Sequence, residues 1–144
     1  MIRQATEKDY EDIAILANQL WANSDLDELK QEFLNDLSSL ENSIFLCYKD
    51  DKPVAFVDCR LRYDYVEGAK TTPVAYIEGI YVKEKYRNQG IARQLIENCE
   101  QWARKHGCHE LASDCEINNN DSFNFHIKSG FKEVNRVISF LKEL

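Results

Sequence analysis

In the N-terminal part of the chain the apolar positions recur every three or four residues, which is the spacing of one face of a helix. After a short strand predicted at Ile2–Ala5, this pattern predicts two amphipathic helices. The first follows Thr6-x-x-Asp9, which resembles a capping box, and the second opens at Ser24-x-x-Asp27. The apolar faces of these helices are formed by Ile13, Leu16, Ala17, Leu20, Leu26, Leu29, Phe33 and Leu37.

The next segments follow the alternating pattern of β-strands, in which successive side chains point to opposite faces. Ser43–Tyr48 is predicted to be one strand and Val54–Tyr65 a second, longer one. Apolar side chains of the longer strand alternate with Asp58, Arg60 and Arg62. The alternation predicts that one face of this strand is buried and the charged face is exposed to solvent.

A third strand, Val74–Val82, is apolar on both faces except at Glu78, so it is predicted to be buried in the centre of a sheet. A helix is predicted to follow at about Gly90–Lys105. Its apolar stripe consists of Ile91, Leu95, Ile96, Cys99, Trp102 and Ala103.

The last third of the chain contains three shorter elements. Leu111–Asp114 is predicted to be a strand, Asn119–Ser129 a helix that Gly130 ends, and Val134–Leu141 a final strand. The order of elements is therefore strand, two helices, three strands, helix, strand, helix, strand. This order predicts a mixed α/β fold in which helices pack on a sheet.

The chain has 144 residues and a formal net charge of −7, and its length predicts one domain spanning residues 1–144. A nucleic-acid partner is not expected, because such proteins need a basic face to displace counterions. No apolar run is long enough to cross a membrane, so no membrane contact is expected. Met1-Ile2-Arg3-Gln4 leads into polar residues, which is unlike a signal peptide, so none is expected.

The five cysteines are an odd number and include no Cys-x-x-Cys pair. This pattern favours reduced thiols in a cytoplasmic protein over disulfides or a zinc site. No metal site is predicted from the sequence.

The segment after the buried strand combines a basic loop, a glycine and the start of the amphipathic helix. A helix N-terminus offers unpaired N–H groups and about half a positive charge, which together bind phosphate. Gly90 lets the backbone approach a ligand closely, and Arg87 adds a charged donor. Neither a Walker loop nor a Gly-x-Gly-x-x-Gly motif is present. The alternative is an ordinary helix start beside a solvated basic loop.

The motif Arg87-x-x-Gly90-x-Ala92 after a strand resembles the signature of the GCN5-related N-acetyltransferases. In that family the turn holds the pyrophosphate of acetyl-CoA, and Ser129-Gly130-Phe131 resembles the Gly-Phe before the family's last strand. The resemblance implies an α/β fold with a mixed, mostly antiparallel sheet flanked by helices and a split between the central strands. It also implies acetyl-CoA as co-substrate and no metal.

Further segments resemble a narrower group, the small dimeric aminoglycoside 6'-N-acetyltransferases. They are Leu61–Gly68, Thr72–Val74, Ile77–Val82, Leu111–Asp114 and Gly130–Val137. The resemblance implies direct attack of the aminoglycoside 6'-amine on acetyl-CoA, antibiotic resistance, and a homodimer. One alternative is an acetyltransferase of the same fold that acts on a polyamine or protein amine. Another is an acetyl-CoA-binding module without turnover.

Two residues are candidates for catalysis. A carboxylate at Glu78, in the most apolar strand, needs a partner or a cleft, and in a cleft it would hold the amine and accept its proton. The alternative is an ion pair with Arg60 or Arg62. His126 stands where many relatives of the resembled family carry a Tyr that protonates the departing thiolate, and histidine serves that role near neutral pH. The alternative is a structural histidine on an apolar helix face.

The resemblance also implies a set of coenzyme-binding residues. The main chain of Ile80, Tyr81 and Val82 would bind the pantetheine arm, although the side chains can equally belong to the core. Asn119 would reach the pantetheine or the sulfur, or would simply be a turn residue. The phosphate-binding residues would be Arg87, Asn88, Gln89, Gly90, Ile91, Ala92 and Arg93.

Substrate contacts are implied for Glu78 together with four other residues. Asp114 follows a strand end, where ligands gather in open α/β sheets, or it caps the next turn. Trp21 and Tyr65 would wall a sugar-binding cleft, or they would be core aromatics. Asn135 stands near a position where several resembled enzymes carry Glu, and Ala22 replaces a Pro that often follows the Trp.

Overall fold

The computed structural model describes residues 1–144 and is built around a five-stranded sheet. Its strands lie side by side in chain order: β1 (Ile2–Gln4), β2 (Asn42–Lys49), β3 (Lys52–Arg62), β4 (Val74–Val82) and β5 (Leu111–Ala112). The first four strands are antiparallel to their neighbours, and β5 is parallel to β4. The predicted mixed, mostly antiparallel sheet is confirmed.

Helices cover both faces of this sheet. On one face, α1 (Tyr10–Leu20) and α2 (Leu26–Leu37) bury their apolar sides against β2 and β3. On the other face lie α3 (Ile91–Lys105) and α4 (Asn120–Lys128), and Phe125 of α4 packs against the α3 core. The predicted α3 stripe is confirmed, because all six of its residues are buried. No helix has both the length and the apolar character to cross a membrane.

The charged face of β3 is not exposed as the alternation predicts. Asp58 is only 1% exposed, and Arg60 forms ion pairs with Asp58 and with Asp36 of α2. The physical reason is that α2 lies over this face and supplies a carboxylate to the arginine. The strand also ends at Arg62, so Tyr65 belongs to the following loop.

The sheet opens between β4 and β5. Only two residue pairs join these strands, Ala75 with Leu111 and Tyr76 with Ala112. The predicted strand Leu111–Asp114 is therefore shorter than expected. A register shift in the β3–β4 pairing, between Asp58 and Cys59, leaves Glu78 as an extra residue on β4. The predicted split between central strands is confirmed where β4 and β5 separate, beyond Tyr76 and Ala112.

The predicted final strand, Val134–Leu141, is wrong for the isolated chain, because residues 131–144 form neither helix nor strand. A strand forms only where a neighbouring edge supplies hydrogen bonds. Phe131 packs against the core, and beyond it the segment contacts the fold through Val134 at Gly68 and through the side chain of Asn135 with Glu67. The apolar residues beyond them are exposed, with Phe140 at 90%.

Candidate functional site

The turn before α3 is built to receive an anion. Gly90, the N-cap of α3, has φ of 81°, and an added Cβ would meet nothing within 4 Å. The first hydrogen bond of the helix runs from the Gln94 N–H to the Gly90 carbonyl at 3.1 Å. The amides of Ile91, Ala92 and Arg93 therefore have no acceptor within the helix, and no acidic residue lies in its first turn.

Arg87 anchors this turn to the end of β4. Its Nε donates to the Val82 carbonyl at 2.7 Å, and its guanidinium carbon lies 5.5 Å from the centre of the Tyr81 ring. The two terminal nitrogens of Arg87 remain available to a ligand. Asn88, with φ of 62°, and Gln89 complete an exposed loop that ends at Gly90, directly before the first amides of α3.

The edge of β4 that faces the split is open beyond Tyr76. Residues Gly79–Val82 pair with β3 on one side and with no strand on the other. Their outward main-chain groups are therefore available to a ligand that lies in the split. The side chain of Val82 is buried in the core, which is the alternative role considered for the side chains of this segment.

Glu78 forms an ion pair with Arg62. Its Oε1 accepts from Arg62 Nε at 2.9 Å, and its Oε2 accepts from Arg62 Nη2 at 2.8 Å. Of the two arginines considered in the sequence, Arg62 is thus the partner. The pair is partly exposed, and each carboxylate oxygen keeps a further lone pair for an incoming donor.

The ion pair of Glu78 and Arg62 is linked through Tyr76 to a second acidic residue, Asp114. The guanidinium carbon of Arg62 lies 3.4 Å from the centre of the Tyr76 ring, and the Tyr76 hydroxyl donates to Asp114 Oδ2. Burial and the bond to Asp114 raise the pKa of Tyr76, so its hydroxyl stays a donor. Glu78, Arg62, Tyr76 and Asp114 form what we call the carboxylate network. The sequence indicates both acids, whereas its pattern shows Tyr76 only as one residue of an apolar strand.

A buried third carboxylate lies next to this network. Asp58 is opposite Gly79 in the β3–β4 register, and its Oδ2 accepts from Arg60 Nη2 at 3.2 Å. Its other oxygen is buried without a partner. Burial raises the pKa of Asp58 to about 6, although Arg60 acts in the opposite direction. Sequence reasoning missed Asp58 because the alternating pattern placed it on a solvent-exposed face.

Trp21 packs directly on the backbone beside Glu78. A Cβ added to Gly79 would lie 2.8 Å from Cζ2 of Trp21, so the indole fits only because residue 79 is a glycine. Trp21 is 37% exposed and Tyr65 is 80% exposed, which excludes the core role for both. Tyr65 donates to Glu67 at 2.8 Å, and Asn135 donates to the other oxygen of the same carboxylate.

Both ring nitrogens of His126 are engaged. Nε2 lies 2.8 Å from Ser113 Oγ, and Nδ1 lies 2.7 Å from the Ser122 carbonyl oxygen. The ring packs edge-on against Phe125 and Phe131, with centroids 5.7 and 5.2 Å away. The histidine is therefore held in place by α4 and by the end of β5.

The side chain of Asn119 is used in the local structure of α4. It caps this helix by accepting from the Ser122 N–H at 3.1 Å. This is the turn role considered as the alternative for Asn119, and its amide nitrogen makes no hydrogen bond to the protein.

The split separates two chemically different sides. Ser113 and Asp114 are consecutive, yet Ser113 contacts His126 of α4 while Asp114 contacts Tyr76. The carboxylate network and Trp21 therefore lie on the α1–α2 side of the sheet. The turn at Gly90 and the Ser113–His126 pair lie on the α3–α4 side.

Neither of the two best-formed cavities contains Glu78. The larger, of about 470 Å³, lies between the C-terminal ends of α2 and α3 and includes none of the predicted site residues. The smaller, of about 260 Å³, is lined by the loop that carries Tyr65. No group of three or more His, Cys, Asp or Glu side chains is arranged to hold a metal ion.

Comparison with known proteins is consistent with this geometry. The chain is 41% identical over 130 residues to an aminoglycoside N(6')-acetyltransferase type 1 of Serratia marcescens, which covers 90% of this chain and 89% of that protein. Identity to the enzyme of the same name from Stenotrophomonas maltophilia is 38%, over 96% of this chain and 90% of that protein. The structure also superposes on AAC(6')-Iy in complex with the bisubstrate analogue CoA-S-monomethyl-acetylneamine. That match has a TM-score of 0.94 at 33% identity and covers 100% of this chain and 98% of that one.

A second solved structure, the apo form of the aminoglycoside 6'-N-acetyltransferase AAC(6')-IG from Acinetobacter haemolyticus, gives a TM-score of 0.93 at 34% identity. It covers 100% of this chain and 99% of that one. The matches above span nearly the full length of both chains, so they include the turn at Gly90 and the split. Residues 7–131 match the acetyltransferase (GNAT) family, and the chain belongs to that family.

Proposed function

We propose that this protein transfers the acetyl group of acetyl-CoA to the 6'-amine of aminoglycosides and so confers resistance to them. The observation that carries the proposal is that an open helix N-terminus and the carboxylate network lie at the same split in the sheet. Relatives that match nearly the whole chain bear the name of this activity. The full span of residues 1–144 would act as one acetyltransferase domain.

The α3–α4 side fits the coenzyme. The free amides of Ile91, Ala92 and Arg93, with the terminal nitrogens of Arg87, would bind its phosphates. The open main-chain edge of Gly79–Val82 would pair with the amides of the pantetheine arm. When bound, acetyl-CoA supplies the thioester carbonyl that the amine attacks. A main-chain N–H of β4 would polarise that carbonyl, a type of contact that contributes roughly 3–4 kcal/mol in acyl transfer.

The α1–α2 side fits a polycationic amine. Glu78 and Asp114 would hold ammonium groups, and Glu78 would accept the proton that the amine loses before it attacks. Trp21 and Tyr65 would wall the sugar-binding cleft, with Asn135 at its rim. Acetylation removes one positive charge and one donor from the drug, which weakens contacts to RNA phosphates.

We also propose that the protein is a homodimer in which the segments Val134–Leu144 are exchanged. This C-terminal arm leaves Phe140 and Leu141 at least 90% exposed, while β5 has an open edge at the side away from β4. An exposed apolar arm and an unpaired edge on the same chain complement each other across a two-fold axis. The arm of one protomer would add a strand next to β5 of its partner.

The dimer is tested by light scattering after gel filtration. The expected mass is twice the 16.8 kDa of one chain. Phe140→Asp in the arm should shift the protein toward monomer, whereas Leu40→Asp, at a residue equally exposed but outside the arm, should not. A wild-type monomer, or dissociation by both variants alike, would refute the arm exchange.

A cytoplasmic location fits the same picture. Five cysteines are free, and four of them are buried, so the fold uses thiols as small apolar side chains rather than as cross-links. The reducing cytoplasm is also where bacterial ribosomes, the targets of aminoglycosides, are found.

The proposed activity is tested by thiol release from acetyl-CoA with kanamycin or tobramycin, beside spermidine and an amine-free blank. Fast release with the aminoglycosides, and none with a derivative that carries a 6'-hydroxyl in place of the amine, is the expected result. Release with spermidine alone would move the activity to polyamines. Coenzyme binding without release with any amine would support a binding module instead.

A further inference from the structure

We propose that Ser113 is a further catalytic residue, whose hydroxyl passes a proton from His126 to the thiolate of coenzyme A as it departs. The inference rests on the proposed acetyl transfer, and it concerns a residue that the sequence did not single out. The observation behind it is the 2.8 Å contact between Ser113 Oγ and His126 Nε2 at the point where β4 and β5 separate.

The position of Ser113 follows from the strand register. The pairing of β4 with β5 ends at Tyr76 and Ala112, so Ser113 is the first residue after β5. Its side chain turns to the α3–α4 side, as the contact with His126 shows. This is the side that carries the turn at Gly90, where the phosphates of the coenzyme are proposed to bind. Ser113 therefore borders the split on the side from which the thiol departs.

The partners of His126 determine where its protons lie. The Ser122 carbonyl can only accept a hydrogen bond, so Nδ1 at 2.7 Å carries a hydrogen. In the neutral ring, Nε2 is then an acceptor and the Ser113 hydroxyl donates to it. In the charged ring, Nε2 carries a hydrogen as well and donates to Ser113 Oγ. The Ser113 hydrogen is then free to point into the split.

This geometry explains why His126 cannot act on the thiolate alone. An imidazole ring has two nitrogens, and here one is bound to the Ser122 carbonyl and the other to Ser113. The edge-on packing of Phe125 and Phe131 holds the ring in this orientation. The Ser113 hydroxyl is the group through which a proton of Nε2 can leave toward the split.

In the proposed step, transfer of the acetyl group to the amine is accompanied by transfer of a proton to the sulfur. The amine nitrogen forms a bond to the acetyl carbon, and the bond between that carbon and sulfur breaks with its electron pair on sulfur. The sulfur takes the hydrogen of the Ser113 hydroxyl, and Ser113 takes the Nε2 hydrogen of His126. The amine proton leaves to Glu78 and then to solvent, and His126 regains a proton from solvent. Base and acid thus work on opposite sides of the sheet.

The first test is kinetic and uses the full-length protein. Ser113→Ala should lower kcat for aminoglycoside acetylation by about 100-fold, the lower end of what general acid catalysis contributes. The KM values for both substrates should change little, because the variant removes one oxygen atom from a residue without a role in binding. Ser113→Thr keeps a hydroxyl and should recover most of the loss. Ser129→Ala is the matched control, since Ser129 ends α4 and its hydroxyl makes no hydrogen bond.

The second test needs no turnover. The ultraviolet absorbance of thiolate reports how much of the bound CoA is deprotonated at a fixed pH. The Ser113–His126 pair should stabilise bound thiolate, so Ser113→Ala should lower the thiolate fraction by about tenfold, which equals one unit in the thiol pKa. Ser129→Ala should match the wild type.

Unchanged kcat and an unchanged thiolate fraction in Ser113→Ala would overturn the relay. If the wild type acetylates no amine, the proposed function fails, whereas the absorbance measurement on bound CoA still decides whether Ser113 reaches the sulfur.

Discussion

The two sides of the β4–β5 split differ in charge although they share the same strands. On the α3–α4 side, the helix N-terminus and Arg87 offer hydrogen-bond donors, and no acid lies in the first turn of α3. On the α1–α2 side, Glu78, Asp114 and Asp58 lie with Arg60 and Arg62, and Trp21 packs on Gly79 of the same side. In the proposed function an anionic coenzyme and a cationic amine would therefore be drawn to opposite faces and would meet in the gap.

The pleat of the strands creates this difference. Successive residues point to opposite faces, so Asp58 faces α2 while Val57 and Cys59 belong to the core under α3. The same rule sends Ser113 and Asp114 to opposite sides at the end of β5. The two consecutive residues Ser113 and Asp114 can thus supply one group to each side of the split.

The largest effect is expected from removing the charge of Glu78. Glu78→Gln keeps the size of the side chain but loses the base, and kcat/KM for the aminoglycoside should fall by about 10²–10³-fold. The affinity for acetyl-CoA should remain, because Glu78 lies on the other side of the split. Glu97→Gln, at an exposed residue of α3, is the control and should keep wild-type rates. Full activity of Glu78→Gln would show that the amine is deprotonated elsewhere.

The next effect is on stability and arises from Asp58. Burial raises its pKa from 3.8 to about 6 in the folded state, so the folded protein holds this proton more tightly than the unfolded chain. The resulting stabilisation is complete below about pH 4 and is lost as the pH rises through about 6, a change of about 3 kcal/mol. Asp58→Asn cannot titrate, so its stability relative to the wild type should increase over this range.

Urea unfolding of Asp58→Asn and wild type at several pH values measures this difference. Asp64→Asn, at an exposed carboxylate, should follow the wild type throughout. A constant difference between Asp58→Asn and wild type from about pH 4 to 7 would mean that Asp58 stays ionised in the folded protein.

A smaller effect is expected where Trp21 meets the sheet. Gly79→Ala places a Cβ 2.8 Å from the indole and must displace it, so KM for the aminoglycoside should rise by about tenfold, or 1.4 kcal/mol. Trp21→Ala should raise this KM by a similar factor. The KM of the double variant should be no higher than that of Trp21→Ala alone. Steady-state kinetics of the three variants measures this coupling. Additive losses would indicate that the two residues act independently.

Local features of the site could be predicted from the sequence. The strand, the turn and the start of α3 are adjacent in the chain, and Gly90 and Arg87 mark them directly. Glu78 was visible because one acid interrupts an apolar strand. These signals are local, so no knowledge of register was needed.

The pairs that complete the site could not be predicted in the same way. Arg60 and Asp36 are 24 residues apart, Tyr76 and Asp114 are 38 apart, and each pair forms only through tertiary packing or strand register. The prediction of the final strand, Val134–Leu141, is wrong for a related reason. Its alternating pattern is suited to a strand, but the pattern does not tell which edge, or which copy of the chain, supplies the partner.

The central claim, that the coenzyme and the amine bind on opposite sides of one split, is tested most directly by paired KM measurements. Arg87→Ala should raise KM for acetyl-CoA by about tenfold and leave that for the aminoglycoside nearly unchanged. Asp114→Asn should do the reverse. If either variant raised both values equally, or if the two effects were exchanged, the two sides would not be divided as proposed.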